Sequence, residues 1–356
     1  MVQFWICRFG VYARTIALSP IILCCGICAI FETFFFCNQK IPKSDLRGKR
    51  VVITGPTSGI GKETAKRLAA QGAHIVLASR TRSPAIEREI KDAGGSVSLI
   101  HFDLLSLDSV RNCARVLLRE EKIDILVLNA GINTNFPTLQ HPDIPRCTTV
   151  FGVNFVGNFL LLRLLGFEKL KNTRIICLSS VMHHFADPTK LFFDTENLLP
   201  MLPADYSESK LAMNLLARAI SEARFFPHSS TNKPIYAVAV NPGAVSSEIW
   251  RHTWPPIKPL LQLIMTLFFL TPDQGAATTV AAAVQPTSIV PSNTYLTPYY
   301  QPSFKLPGRS GFEFVGPFAG ARPAFCRIPS CEHEIASQLW DTCELFCDRF
   351  LTDPLT

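Results

Sequence analysis

The chain has 356 residues, is 47% hydrophobic and carries a formal net charge of +7 at neutral pH. That is enough for one α/β domain with a sizeable core plus a membrane segment, and no second globular domain or internal repeat is legible. The positive charge does not argue for nucleic acid: much of it lies in the run from Lys40 to Arg50, beside an apolar segment where anionic lipid headgroups are the nearer partner.

That apolar segment opens the chain. Ile16 to Phe31 is uncharged, and extension to Cys37 adds only Glu32, giving the roughly 20 residues that span a bilayer. Residues 1–40 are therefore expected to form a membrane anchor. Arg8 and Arg14 precede it, whereas Lys40, Lys43, Arg47, Lys49 and Arg50 follow, opposed only by Asp45, so the positive-inside rule places the rest of the chain in the cytosol. A cleaved signal peptide is the competing reading, since Pro20 interrupts the run and Gly26, Cys28 and Ala29 lie near its end.

Arg50 to Ile53 reads as a buried strand and Lys62 to Gln71 as a helix with Ala65, Leu68 and Ala69 on one face. Between them lies Thr54-Gly55-Pro56-Thr57-Ser58-Gly59-Ile60-Gly61. Glycines let a pyrophosphate approach the main chain, and the following helix N-terminus offers free N–H groups and partial positive charge. The spacing departs from Gly-x-Gly-x-x-Gly, and a glycine-rich turn also occurs as plain structure. The next strand, His74 to Ala78, ends at Ser79-Arg80. An acidic residue at that position would bind ribose hydroxyls; Arg80 instead favours a 2′-phosphate, hence NADP(H). Further strands are expected at Ser98 to Phe102, Ile125 to Leu128, Ile175 to Leu178 and Tyr236 to Val240. Alternating with helical stretches, they predict a Rossmann-like, doubly wound parallel sheet covered on both faces.

Tyr206 stands four residues before Lys210, so on a helix the two share a face. A tyrosine is a poor acid–base catalyst at neutral pH unless a neighbouring ammonium favours its phenolate. Such pairs also arise by chance on helix surfaces. Hydride arriving at a carbonyl carbon needs one acid and one hydrogen-bond donor at the oxygen, and Tyr206 suits the first role. The pair His183-His184 follows closely, but no further ligands stand at metal spacing and no metal site is expected.

In chain order, Thr54 to Gly61, Asp103-Leu104, Asn129-Ala130-Gly131, Asn154, Ser179-Ser180, Tyr206 to Lys210 and Asn241-Pro242-Gly243 resemble the motifs of the short-chain dehydrogenase/reductase superfamily, from about Lys49 to Leu296. The resemblance implies a catalytic set of Asn154, Ser180, Tyr206 and Lys210. In it Lys210 holds the nicotinamide ribose and lowers the Tyr206 pKa, and Asn154 positions a water in a proton relay. It also implies cofactor contacts from Gly55, Ser58, Gly59, Ile60, Gly61, Arg80, Asp103, Leu104, Asn129, Ala130, Gly131, Tyr206, Lys210, Pro242, Gly243 and Ser247. Asn129 would steady the sheet and Ser179 would be structural. Ser247 stands where the family usually has threonine.

Gly61-Lys62-Glu63-Thr64-Ala65, Leu178 to His184, the anchor and Trp340 are similar to the retinol dehydrogenase-like, membrane-associated branch. That likeness implies a lipophilic alcohol or its aldehyde or ketone as substrate (retinoid, steroid, polyprenoid or long-chain) and an endoplasmic reticulum location with the catalytic domain in the cytosol. A homo-oligomer is left open. A cofactor-binding sensor or scaffold, and a carbon–carbon double-bond reductase, remain alternative readings.

The apolar stretch Ile257 to Leu270 is too short to span a membrane; the resemblance implies a substrate lid there, and a helix packed on the sheet is the other reading. Cys113, Cys147 and Cys177 fall in core-like elements, while Cys326, Cys331, Cys343 and Cys347 suit either disulfides or free thiols. The domain spans 41–298, followed by a Pro/Gly/Phe-rich insertion at 299–330. Residues 331–356 form a terminal helix and tail, with Ile335, Leu339, Trp340, Cys343 and Phe346 as its apolar stripe.

Overall fold

The structure is a computed structural model that describes residues 42–120, 122–133, 141–144, 147–187, 191, 193–194, 199–200, 206–222, 235–247, 262–263, 265–266, 269–297, 322–324, 339–341 and 343–344. The anchor segment 1–40, most of the lid and most of 299–338 lie outside the described residues.

The chain alternates strands and helices: β1 (Arg50–Thr54), α1 (Gly59–Ala69), β2 (His74–Ser79), α2 (Pro84–Asp92), β3 (Ser96–His101), α3 (Leu107–Arg119) and β4 (Ile125–Leu128). The long helix α4 (Thr149–Leu170) leads to β5 (Arg174–Leu178) and the short pair β6 (Phe193–Asp194) and β7 (Leu199–Pro200). Helix α5 (Tyr206–Ser221), β8 (Ala237–Val240), α6 (Pro272–Val284), β9 (Thr294–Thr297) and β10 (Arg322–Ala324) complete the order.

The main sheet runs β10-β9-β8-β5-β4-β1-β2-β3, with every pairing parallel except the antiparallel β10–β9 edge. Side chains alternate across the pleat, so each strand feeds two cores. Val52, Leu126, Ile175, Cys177 and Ala239 face α3, α4 and α5. Val51, Ile53, Val127, Ile176 and Val238 face α1, α2 and α6. The near-continuous apolar runs of the sequence follow from burial on both faces.

Strand order reverses between β1 and β4, which opens a crevice at the carboxyl ends of the strands. At the opposite end, Arg174 Nη1 donates to the carbonyls of Ala282, Ala283 and Gln285 at the end of α6, and its guanidinium lies 4.1 Å from the Tyr236 ring centroid. Helix α6 starts on a capping box between Thr271 and Gln274. It packs on α1, where the Arg67–Asp273 ion pair joins the two.

Helix α4 is long and apolar enough to cross a membrane, with a mean hydropathy of 1.7, but 83% of that window is buried within the domain. It is a core helix. Its course is interrupted by a π-turn at Gly152–Val156 and by Gly166, at φ 72 and ψ 168. Its outer side is covered partly by the C-terminal segment: Leu339 and Cys343 are buried, the Trp340 ring meets Phe159 edge-on at 4.9 Å, and Arg163 pairs with Glu344.

Among the elements expected from sequence, the strand placed at Ser98 to Phe102 begins two residues earlier, at Ser96. β9 and β10 carry little signal: β9 is only Thr-Tyr-Leu-Thr, and β10 contains Pro323, which an edge strand tolerates because one of its N–H rows is unpaired. Part of the insertion at 299–330 thus closes the sheet. Cys113, Cys147, Cys177 and Cys343 are buried free thiols. In the lid region, Met265 and Leu270 are buried whereas Leu263 is 57% exposed.

Candidate active site

The glycine turn is fixed by its neighbours. Gly55 has φ 63, and a Cβ there would lie 2.9 Å from Ala130 Cα. At Gly61 a Cβ would come within 2.4 Å of Asn129 Nδ2 and 2.5 Å of the Gly55 carbonyl, so only glycine lets α1 start this close to β4. Gly59 faces Ser247, whose Cβ is 3.5 Å from where a glycine Cβ would stand. The turn and the segment after β8 therefore border one space. The first turn of α1 holds no acidic side chain, and Ser58 makes no side-chain cap, so its N–H groups are not taken up by the usual capping oxygen.

Asn129 Nδ2 donates to the carbonyls of Thr54 and Gly55, and the Thr54 hydroxyl accepts the N–H groups of Asn129 and Ala130. This ties the ends of β1 and β4 together across the crevice. The Thr54 hydroxyl was not singled out in the sequence, although it begins the glycine motif.

Arg80 is exposed just past β2 and makes no ion pair among the described residues. Asp103, two residues past β3, accepts the N–H of Leu105, and the Leu104 carbonyl is 2.8 Å from His141 Nε2. Pro242 and Gly243 follow β8, with the Gly243 N–H held by Asn241 Oδ1. The expected cofactor residues thus fall along one edge of the sheet.

The catalytic candidates meet on that same edge. Gly131 lies against two of them: a Cβ there would meet Asn154 Oδ1 at 3.2 Å and Lys210 Nζ at 3.5 Å. Asn154, in the π-turn, donates from Nδ2 to the Ile132 carbonyl and to Ser209 Oγ, while its Oδ1 accepts the Ile132 N–H. Ser209 in turn donates to the Tyr206 carbonyl. Lys210 Nζ donates to the Leu178 carbonyl at 3.0 Å and stands 5.4 Å from the Tyr206 ring centroid. Ser180 begins the 3-10 turn Val181–Phe185 and caps it by accepting the Met182 N–H. Ser179 instead donates to the Lys210 carbonyl, a structural role.

Burial governs the two titrating groups. It pushes the Tyr206 phenol up to about 12, against a hydrogen bond with Ser180 that pulls the other way. It also brings the Lys210 ammonium down to about 8, opposed only by the neighbouring Cys177. Both shifts come first from loss of hydration, which disfavours the phenolate and the ammonium alike.

Several neighbours were given no catalytic role in the sequence. Glu208 is buried and accepts the Asp187 N–H, joining α5 to the stretch after Ser180. His183 Nδ1 is 2.7 Å from the Ser180 carbonyl, and its ring packs on His184 at 3.9 Å and on Tyr295 at 4.9 Å. Ser209 and Asn158 stand out only in hindsight, as fully buried polar residues, which need partners.

A parallel sheet with this switch point, a glycine turn and a serine–tyrosine–lysine cluster defines a nucleotide-dependent oxidoreductase fold. Residues 49–257 match the family described as short chain dehydrogenase. Human Retinol dehydrogenase 14 is 33% identical over 265 residues, covering 68% of this chain and 75% of its own. Mouse Retinol dehydrogenase 12 is 36% identical over 256 residues, covering 69% and 75%. Human Polyprenol dehydrogenase is 29% identical over 248 residues, covering 66% and 72%. A solved structure from Beutenbergia cavernae, a putative NAD(P) dependent gluconate 5-dehydrogenase with NADP bound at low occupancy, aligns with a TM-score of 0.55 at 25% identity, covering 71% of this chain and 96% of that one. The chain belongs to the short-chain dehydrogenase/reductase family, in its retinol dehydrogenase-like branch.

Proposed function

We propose that the protein is an NADP(H)-dependent oxidoreductase that interconverts a lipophilic alcohol with its aldehyde or ketone, with Tyr206 as general acid/base. The observation that carries this reading is the convergence of Asn154, Ser180, Tyr206 and Lys210 on the edge that also bears the glycine turn. The cofactor, when bound, supplies the hydride.

The chain's residues fit such a group. Gly59 and Gly131 line the space with hydrogen where a side chain would intrude, and the first turn of α1 presents N–H groups to a pyrophosphate. Arg80 gives a 2′-phosphate its counter-charge. Ser180 and Tyr206 polarise the substrate oxygen, and the neutral phenol is the form that donates a proton to a developing alkoxide. Lys210 orients the ribose and, once charged, favours the tyrosinate that donation leaves behind.

The lipophilic substrate class is supported by the names of the relatives, retinol and polyprenol dehydrogenases, and by the apolar rim beside the site: Val181 and Met182 are each 38% exposed there. The apolar segment before residue 41 supports a membrane anchor, with the catalytic domain on the cytosolic face of the endoplasmic reticulum.

The test is NADPH oxidation in detergent by the protein lacking its first 40 residues, against retinaldehyde, polyprenals, long-chain aldehydes and steroid ketones. Turnover is expected with at least one class, the carbonyl being reduced to the alcohol with carbon–carbon double bonds left intact. Tyr206→Phe is expected to lose turnover by a factor on the order of 100 or more while still binding NADPH. Full activity in that variant would remove Tyr206 from the mechanism, and NADPH binding without turnover on any class would replace the enzyme with a cofactor sensor.

A further inference from the structure

The turn that follows β3, Asp103 to Leu107, is held partly by its own surroundings and partly from a distance. The Asp103 N–H donates to Ser109 Oγ, the Leu105 N–H to Asp103 Oδ1, and the Ser106 N–H to the Asp103 carbonyl. Two further main-chain groups are gripped by one remote segment, residues 141–144. His141 Nε2 lies 2.8 Å from the Leu104 carbonyl, and Asp143 Oδ2 accepts the Leu107 N–H at 2.8 Å. The partners of the His141 ring fix its form. The Asp143 main-chain N–H can only donate, so Nδ1 is the bare nitrogen, and a carbonyl can only accept, so Nε2 carries the hydrogen. Burial favours the same neutral ring by lowering the His141 pKa.

Helix α4 makes room for this clasp at two glycines. A Cβ at Gly152 would meet His141 Cδ2 at 2.4 Å, and one at Gly157 would meet Leu104 Cδ2 at 2.5 Å, so the ring and the residue it holds both lie directly on the helix. β3 pairs with β2 so that His101 stands opposite Ser79, which sets the turn beside the end of β2 where Arg80 stands. The 2′-phosphate given to Arg80 belongs to the adenosine half of NADP(H). The turn therefore borders that half, with Asp103 and Leu104 as its expected contacts. We propose that His141 is a positioning residue for the adenosine half of the cofactor: its Nε2–H holds the Leu104 carbonyl and thereby fixes the turn against which the adenosine rests. At 2% exposure the ring acts through Leu104 and not by contact of its own. The inference rests on the cofactor reading above.

Asparagine and glutamine divide the two bonds of the ring. Asparagine places its amide near the position of Nδ1 and leaves nothing at Nε2, whereas glutamine brings an N–H to the position of Nε2 and leaves nothing at Nδ1. The probes are NADPH and adenosine 2′,5′-bisphosphate, titrated against the full-length protein in detergent. His141→Asn is expected to raise the dissociation constants of both probes by the same factor, about fivefold or more, with kcat within about twofold of the wild type. His141→Gln is expected to bind both probes within about twofold of the wild type. Gly152→Ala displaces the ring without changing it and is expected to raise both constants too; if His141→Asn does not fold, wild-type affinities in Gly152→Ala overturn the inference. Equal affinities in the asparagine and glutamine variants, or a loss for NADPH that the bisphosphate does not share, also overturn it and leave the oxidoreductase reading in place. A wild type that binds NADPH but turns over no substrate overturns the oxidoreductase reading alone, because the affinity comparison decides the inference without turnover. A wild type that binds neither probe overturns both.

Discussion

At the scale of single residues, Lys210 shows a conflict between stability and function. Its ammonium is buried and brought down to about 8 from an ordinary value of 10.5. Between those two values the unfolded chain binds the proton and the folded one releases it, so this residue makes stability rise with pH across that window. Below about 8 the charge is buried in the folded state and its cost is fully present. Lys210→Met should therefore make the cofactor-free protein more stable at pH 7 by on the order of 1–3 kcal/mol, even after losing the hydrogen bond to Leu178, while abolishing turnover. Urea denaturation of both proteins at pH 7 checks the first part, and a variant less stable than the wild type would contradict it. In the wild type, kcat/KM for carbonyl reduction should fall as pH rises through about 8, when Lys210 loses its charge.

Arg80 belongs to the same scale. Exposed and without an ion pair among the described residues, it is available to a phosphate, and Arg80→Asp should shift the NADPH/NADH preference toward NADH by about tenfold or more. An unchanged ratio in parallel kinetics would reject its role. The motif residues were readable because each answers a local demand: a turn needs glycine, and a helix face needs the four-residue spacing. The sense of the Tyr206 shift was not readable, because it depends on burial that spacing cannot reveal. Ser209 sat in the quoted motif without a role, since its partner Asn154 is distant in sequence and meets it only through the fold.

Among the elements, α4 gathers the most unusual features. Its apolar composition resembles that of a membrane span, yet Phe151, Phe155 and Phe159 stack along one side, with centroid separations of 5.3 Å and 5.9 Å, and the last of them meets Trp340. Phe159→Ala would empty a fully buried site and should cost about 3–5 kcal/mol by denaturant unfolding. A loss below about 1 kcal/mol would mean that the C-terminal segment does not hold its place on this helix. A terminal helix was expected from its apolar stripe; the described residues 339–341, 343 and 344 are helical with Leu339 and Cys343 buried, while Ile335 and Phe346 lie outside the described residues. The π-turn was not legible, because no residue type marks one.

For the whole molecule, the doubly wound sheet followed from strands that are apolar on both faces, and the two separate cores show why. The strands β1, β2, β4, β5 and β8 sit under helices on either side, so the alternation that betrays a half-exposed sheet is missing from them, whereas the edge strand β3 is largely exposed. The closing strand β10 escaped notice because three residues containing a proline carry almost no pattern. Removing residues 1–40 should move the protein from the membrane pellet to the soluble fraction after cell lysis without changing its NADPH affinity. Fractionation with a cofactor-binding assay checks both parts, and a truncated protein that stays with the membrane would point to exposed apolar side chains such as Val181 and Met182 as a second contact.

The Arg174 clamp gives the molecule a mechanical asymmetry. One guanidinium pins the start of β5 to the end of α6 and rests on the Tyr236 ring, at the edge of the sheet farthest from the glycine turn. That end of the sheet is thus held by side chain as well as main chain, whereas the crevice lies at the other end, where the strands finish and Arg174 does not reach.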